Sequence, residues 1–354
     1  MNKIINILKE KKSIPLDKFI NIALYDKKCG YYMKKKSFAK EGDYITAPLI
    51  SNLFGEMIGV WCVAFWEHLG KPKKISIVEL GSGDGSLCKI LLDTFKNFKD
   101  FNNALEIKLL EKSDTLKKIQ RNKIKNAKVG WIKTLTQLNY GPIIFLSNEF
   151  FDSLPIKQIY KKNDKFFEKH ISLSKNNKKM VFSYKKATDK LIKNIQNLHL
   201  TNDNNIIEYP TKAIEYLEQI AKKVKKFDGG ILTFDYGYTE NINQETLQSV
   251  KNHKYINILS EPGNTDITSL INYNLFFKIL KKNNLNVRKI VTQAEFLKKL
   301  GIIERANILS NKMNFNEKAN VYYRLKRLLH HKEMGSLFKV LFAQNNRRSF
   351  SLGF

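Results

Sequence analysis

The sequence has few cysteines and no long apolar run. Its 354 residues include only three cysteines, Cys29, Cys62 and Cys88. Because they are odd in number and widely spaced, they form no pattern of metal ligands, and they fit a reducing compartment. No uninterrupted apolar stretch approaches the ~18 residues of a membrane span. Residues 1–12 lack the small-residue cleavage site of a signal peptide, so we expect a mature N-terminal helix there.

Acidic residues are scarce relative to basic ones. The chain has 62 Lys and Arg against 33 Asp and Glu, a formal net charge of +29. A basic surface attracts nucleic acid. Nearly all of these cations are Lys, however, scattered along the whole chain with many Asn and Ile, which indicates a compositional bias. We therefore favour solvated faces over a nucleic-acid groove.

What the sequence does have is a glycine loop between a predicted strand and a predicted helix. A short apolar run consists of Ile75, Ile77, Val78 and Leu80. Gly81, Gly83 and Gly85 follow at alternate positions, and helical periodicity begins at Leu87. Glycines let a ligand approach the backbone, and a helix start offers unpaired N–H groups. A purely structural turn is the alternative.

The loop differs from the two common phosphate-binding patterns. Ser86 stands where the dinucleotide fingerprint has its last glycine, and the G-x-x-x-x-G-K-[ST] pattern is absent. Glu79 lies just before the loop, and a carboxylate is unfavourable beside a pyrophosphate but acceptable beside a cation. The spacing Glu-x-Gly-x-Gly-x-Gly resembles the first motif of S-adenosylmethionine (SAM) methyltransferases.

Two later residues are candidates for contacts with the rest of such a ligand. Glu111 ends a predicted strand over 106–112, where a carboxylate suits two ribose hydroxyls. Its alternative role is an ordinary charged strand end. Trp131, in a weaker predicted strand, either stacks on adenine or packs in the core.

A third group of polar residues follows the predicted strand 142–149. Asn148, Glu149 and Asp152 lie at its carboxyl end. From about Lys157 to Lys186 the periodicity changes to two, which predicts antiparallel strands in an accessory insertion.

The remaining pattern predicts several further elements. A long amphipathic helix covers Leu53–Leu69, and a helix over 213–224 is closed by Gly229 and Gly230. A core strand follows over 231–237, and residues 261–268 form a polar loop.

Six separated stretches, in this order, resemble the MidA family of SAM-dependent methyltransferases: Gly42–Pro48, Phe54–Trp61, Val78–Leu87, Asn148–Pro155, Asp235–Gly237 and Pro262–Thr268. The resemblance implies a class I, Rossmann-like α/β fold with a seven-stranded sheet, an N-terminal helical segment and an inserted accessory β/α segment. We expect a helical cap over 1–70, a core over 71–156 and 228–354, and the insertion over 157–227. The family usually has Pro and Arg where this chain has Ser82 and Asp84.

The resemblance also implies SAM as cofactor, and we predict no metal-binding residues. The cofactor-binding residues that we predict are Thr46, Glu79, Gly81, Gly83, Gly85, Glu111, Trp131 and Asn148. Catalytic candidates are Glu149 and Asp152, because carboxylates can grip a guanidinium bidentately. Their alternative role is helix capping, with Asp152 at the start of the next helix. Asp266 either holds substrate or orders its loop.

The implied function is protein-arginine N-methylation of a respiratory complex I subunit during assembly. The alternatives are a nucleic-acid or small-molecule methyltransferase and a non-catalytic assembly chaperone. We expect the protein in the cytoplasm of a bacterium, or in the mitochondrial matrix of a eukaryote.

Overall fold

The computed structural model describes residues 2–34, 46–176, 179–200, 205–345 and 347–354. The chain divides into two compact units. The first unit comprises Met1–Tyr44, Phe151–Tyr216 and Glu240–Leu270, and the second comprises Ile45–Phe150, Leu217–Thr239 and Ile271–Phe354. The bounds of these units differ from those of the expected cap (1–70), core (71–156 with 228–354) and insertion (157–227). The division into cap, core and insertion stays a prediction.

The helices and strands of the described residues alternate along much of the chain. The helices are α1 (Asn2–Lys11), α2 (Leu16–Tyr25), α3 (Ala47–Ile50), α4 (Asn52–His68), α5 (Ser86–Phe95), α6 (Lys99–Ala104), α7 (Asp114–Ile124), α8 (Asp189–Asn197), α9 (Thr211–Phe227), α10 (Tyr273–Lys282), α11 (Gln293–Lys299), α12 (Ile302–Ser310), α13 (Phe315–Leu329) and α14 (Met334–Leu337). The strands are β1 (Ser13–Pro15), β2 (Ile75–Leu80), β3 (Leu105–Leu110), β4 (Val129–Ile132), β5 (Ile143–Asn148), β6 (Lys157–Lys162), β7 (Lys165–Leu173), β8 (Met180–Lys186), β9 (Ile206–Tyr209), β10 (Gly229–Tyr238), β11 (Gln248–Lys251), β12 (Lys254–Ile256), β13 (Asp266–Thr268), β14 (Ile271–Asn272), β15 (Leu285–Val287), β16 (Val291–Thr292) and β17 (Phe338–Asn345).

The second unit is built on a mixed sheet, which confirms the predicted α/β class. The strand order is β15-β17-β10-β5-β2-β3-β4. Neighbours from β10 to β4 are parallel, whereas β17 runs antiparallel to β10 and β15. In the described residues the sheet has nine strands, because two short strands, β14 and β16, also pair with it. The predicted number was seven.

Burial explains why the central strands form. Every residue of β2 is buried, as parallel strands covered on both faces require. The predicted helix over Leu53–Leu69 is confirmed as α4, which begins at the Ser51 cap and buries Phe54, Trp61 and Phe65 completely. These aromatic side chains belong to the main core of the second unit.

The first unit has two antiparallel sheets. One contains β1, β7, β6 and β9 in that order, with β8 paired to β7, and the other has the order β12-β11-β13. The predicted antiparallel strands over 157–186 are confirmed as β6, β7 and β8. The apolar side of α2, including Leu16, Phe19 and Leu24, packs in this unit's core.

Some sequence predictions were wrong in detail. Gly229 and Gly230 open β10 and do not close α9. Asp266–Thr268, predicted as loop, forms β13 because its backbone pairs with β11. Helix α12 was not predicted. Residues 42–45 of the first matched stretch lie outside the described residues. Among the described helices, none is both long and apolar enough to cross a bilayer.

Candidate functional site

The glycine loop after β2 has a backbone that only glycine adopts easily. The φ angles of Gly81, Gly83 and Gly85 are +66°, +51° and +83°, all left-handed. A Cβ atom on Gly81 would lie 2.7 Å from Cδ2 of Phe150. The loop is held by bonds from Gly81 N to Leu110 O at 3.1 Å and from Gly85 N to Ser82 O at 2.8 Å. We refer to residues 81–85 as the glycine cradle.

An acidic side chain occupies the start of the following helix. Asp84 Oδ1 accepts a hydrogen bond from Ser86 N at 2.9 Å, and Asp84 Oδ2 accepts one from Ser86 Oγ at 3.0 Å. Lys123 on α7 forms an ion pair with Asp84. Helix N-termini attract anions, so this carboxylate takes the position that a ligand phosphate would use. The loop therefore suits a ligand without phosphate.

Glu79 is a buried carboxyl next to the cradle. Burial raises its pKa to about 8, the charges of Asp84 and Glu111 add to the rise, and the Ser82 hydroxyl opposes it. Within the described part of the chain, its Oε2 atom has no hydrogen-bond partner. Such a group is stabilised by a cation or an N–H donor. The ammonium and sulfonium groups of SAM have the complementary charge, so these residues fit that cofactor.

Glu111 lies directly after β3 and is also buried. Its Oε1 accepts a bond from Ser113 N at 2.8 Å, and its Oε2 accepts one from the Gln120 side chain at 3.2 Å. Burial raises its pKa, and these hydrogen bonds oppose the rise. A carboxylate has about four acceptor positions, so this one retains capacity for ligand hydroxyls. Its ribose-binding role stays a prediction.

Trp131 in β4 is joined to this group through Gln120. Its Nε1 donates to Gln120 Oε1 at 2.8 Å, and the Arg121 guanidinium lies 5.0 Å from the centre of its ring. The indole is half-buried, and its predicted stacking on adenine stays a prediction. Gln120 itself was missed. The available signal was its position between Leu116 and Ile124, at the spacing of one buried helix face.

Asn148 and Glu149 lie at the carboxyl end of β5, beside β2 in the sheet. Asn148 Nδ2 donates to Glu149 Oε1 at 3.1 Å, while Asn148 Oδ1 is buried with no partner among the residues described. Glu149 has a φ of +50°, and its N–H donates to Phe234 O at 3.0 Å. A left-handed non-glycine residue is strained, and such strain clusters at functional sites.

Two further predicted residues are Thr46 and Asp152. Thr46 is the residue before α3, and its carbonyl accepts bonds from Leu49 and Ile50. Asp152 belongs to the first unit, where it is buried and its carbonyl accepts a bond from Ser269 N. The alternative role of Asp152 as a helix cap was wrong, because a turn and then β6 follow it.

Comparison with known proteins identifies relatives over most of the chain. Two mitochondrial proteins named protein arginine methyltransferase NDUFAF7 are similar to it. The one from Xenopus tropicalis is 29% identical over 345 residues, covering 88% of this chain and 77% of the relative. The one from Homo sapiens is 25% identical over 332 residues, covering 87% and 74%.

A solved structure has the same fold. A Burkholderia thailandensis protein bound to S-adenosyl-homocysteine superposes with a TM-score of 0.84 at 20% identity, covering 98% of this chain and 92% of that one. A family model described as "Putative S-adenosyl-L-methionine-dependent methyltransferase" matches residues 57–291, more than half of the chain. The glycine cradle, Glu79 and β5 all lie within this match. The chain therefore belongs to this family of SAM-dependent methyltransferases.

Proposed function

We propose that this methyltransferase modifies the guanidinium of arginine in a protein. The names of its relatives support this acceptor, since both are protein arginine methyltransferases at 25% to 29% identity. The observation that carries the proposal is the carboxylate of Glu149, a residue with a left-handed backbone at the end of β5. It lies in the same unit as the glycine cradle and beside the strand that leads into it.

The cofactor would be held by the residues of the second unit. Glu79 suits the α-ammonium group of SAM, which is cationic, and Glu111 suits its ribose hydroxyls. The glycine cradle allows close approach to the backbone. When bound, SAM supplies a methyl group on a sulfonium, and the protein's task is to align the acceptor nitrogen with it.

Arginine is a poor nucleophile because its guanidinium is delocalised and stays protonated. A carboxylate that accepts hydrogen bonds from two guanidinium nitrogens fixes the plane of the guanidinium and concentrates electron density on one nitrogen. In our proposal Glu149 has this role, and its contact with the Asn148 amide orients it. Asp152, buried in the first unit, is the second candidate.

Asp266 has a role in ordering the first unit. Its Oδ1 accepts a hydrogen bond from the Tyr32 hydroxyl at 2.6 Å. Burial raises the pKa of Tyr32, and the nearby Asp266 charge raises it further, so the phenol stays protonated and keeps donating. This bond supports the loop-ordering role of Asp266 over substrate binding.

We further propose that the acceptor protein is a subunit of respiratory complex I, as the resemblance to the MidA family implies. The location would be the bacterial cytoplasm or, in a eukaryote, the mitochondrial matrix. The test below has three other outcomes: the label is found on a nucleic acid, on a small molecule, or on no acceptor at all.

The test is incubation of the protein with labelled SAM and purified complex I subunits, followed by mass spectrometry of the labelled residue. We expect methylarginine, and loss of label by at least about a hundredfold in Glu149→Gln with S-adenosyl-homocysteine affinity kept. Label on RNA, on another residue type or on no acceptor would contradict the proposal. The matched control is Glu218→Gln, which changes an exposed glutamate on α9.

A further inference from the structure

One buried side chain bonds to three of the predicted cofactor residues. Gln120 on α7 is 0% exposed. Its Nε2 donates to Gly83 O at 2.8 Å and to Glu111 Oε2 at 3.2 Å, and its Oε1 accepts from Trp131 Nε1 at 2.8 Å. The two amide donors and the acceptor are therefore all engaged.

The chemistry of these three bonds requires an amide at this position. Gly83 O and Glu111 accept, whereas Trp131 donates, so the side chain between them must do both. An ionised carboxylate would face Glu111 as a like charge and could not donate. An apolar side chain would leave buried polar atoms without partners, at about 1–3 kcal/mol for each one.

The same bonds fix three separate elements relative to one another. Gly83 belongs to the loop after β2, Glu111 follows β3, and Trp131 lies in β4. Without Gln120, the loop carbonyl, the carboxylate and the indole would each lose the hydrogen bond that ties it to α7. Gly85 packs on the same helix face, because a Cβ on it would lie 3.3 Å from Gln120 Cγ.

We infer that Gln120 is a positioning residue for the cofactor, which orients Glu111 and Trp131 toward the adenosyl part of SAM while it holds the Gly83 carbonyl in place. This inference rests on the cofactor placement proposed above. Gln120 acts through these three residues, and we assign it no contact with the acceptor.

Two substitutions separate positioning from bulk packing. Gln120→Met keeps the size of the side chain and removes both donors and the acceptor. Gln120→Glu keeps the shape and an acceptor for Trp131, but it loses the donors whenever the introduced carboxyl group is ionised. At low pH this carboxyl group and that of Glu111 would share a proton, which restores a donor between them.

The measurement is the dissociation constant of S-adenosyl-homocysteine by calorimetry from pH 5.5 to pH 8.5. We expect Gln120→Met to bind at least about tenfold more weakly at every pH, as the loss of one buried hydrogen bond implies. We expect Gln120→Glu to be at least about tenfold weaker than wild type at pH 8.5, and its affinity relative to wild type to improve at least about threefold by pH 5.5, where one of the two donors is restored.

The matched control is Asn122→Asp, the same amide-to-acid change at an exposed position on the same helix. Glu79 and Lys117 also act on Glu111 electrostatically. All variants keep these groups and Arg121. Each dissociation constant is therefore divided by the wild-type value at the same pH, which removes the contribution of these shared groups.

The inference would be overturned if the ratio of the Gln120→Glu and wild-type dissociation constants did not change with pH. It would also be overturned if Gln120→Met bound S-adenosyl-homocysteine with wild-type affinity. If Gln120→Met does not fold, the pH dependence within Gln120→Glu decides. No binding to wild-type protein would overturn both this inference and the cofactor placement. Normal binding without arginine methylation would contradict only the proposed acceptor.

Discussion

The carboxylate of Asp84 accepts a hydrogen bond from the backbone amide of Ser86 at 2.9 Å, in the first turn of α5. The anion at this helix start is therefore part of the chain, and Lys123 balances its charge. In nucleotide-binding loops a phosphate of the ligand occupies this position at the helix N-terminus.

The first prediction concerns ligand choice. Calorimetric titration of wild-type protein should show binding of SAM and S-adenosyl-homocysteine, and no saturable binding of NADH or ATP at the same concentrations. The reason is repulsion between Asp84 and a ligand phosphate at the helix start. Comparable affinity for ATP would contradict this account of the loop.

A second prediction concerns the shape of the cradle. Gly81→Ala should lower the free energy of unfolding by about 2–4 kcal/mol, because it combines left-handed backbone strain with a clash against Phe150. The matched variant is Gly70→Ala, where φ is +87° but a Cβ would meet nothing within 4 Å. It should lose only about 1–2 kcal/mol and keep S-adenosyl-homocysteine binding. Chemical denaturation measures the free energy of unfolding, and calorimetry measures the affinity for S-adenosyl-homocysteine. Equal losses of unfolding free energy in the two variants would show that the contact with Phe150 does not contribute.

A third prediction follows from the raised pKa of Glu79. The folded-state pKa is about 8 against an ordinary value of 4.5, so the folded state binds the proton more tightly than the unfolded chain. The stability that this group contributes is complete below pH 4.5 and is lost as pH rises through 8. Between pH 5 and pH 8, wild-type protein without ligand should lose on the order of 2–4 kcal/mol relative to Glu79→Gln.

Binding of SAM should show the opposite trend, because a cationic ligand favours the ionised carboxylate. Its affinity for wild-type protein should rise with pH, and the rise should be absent in Glu79→Gln. If the free energy of unfolding varied with pH in the same way in wild-type protein and in Glu79→Gln, a raised pKa of Glu79 would be ruled out.

A fourth prediction separates strain from chemistry at Glu149. Both Glu149→Gly and Glu149→Ala remove the carboxylate, so both should lose methyl transfer. Only glycine relaxes a backbone with φ of +50°, so Glu149→Gly should be more stable than Glu149→Ala by about 1 kcal/mol. Denaturation midpoints compare the pair, and equal stability would indicate that the backbone at Glu149 is not strained.

Much of the second unit could be predicted from the sequence. The apolar run of β2, the three glycines and the periodicity of α4 are local signals, and each one identified its element correctly. Strand β13 could not be predicted, because three residues with Asp266 among them form a strand only through pairing with β11. The same reason applies to Gly229, whose place in β10 is set by pairing with Ile143 on the neighbouring strand.

The candidate site could be predicted where the local sequence places a residue at the carboxyl end of a strand. Asn148 and Glu149 end a strand, so their position could be recognised. Gln120 gave no such signal, because its three partners are 9 to 37 residues away along the chain. A single polar residue on a helix face acquires meaning only when the fold brings its partners together.

The bond between Trp131 and Gln120 gives the protein an intrinsic optical reporter. The chain has three tryptophans. Trp61 and Trp66 are buried, and their indoles donate to the carbonyls of Leu352 and Pro72. Only the half-exposed Trp131 ring lies beside the cradle, so fluorescence emission of the unlabelled protein should respond to occupancy of the adenosyl position.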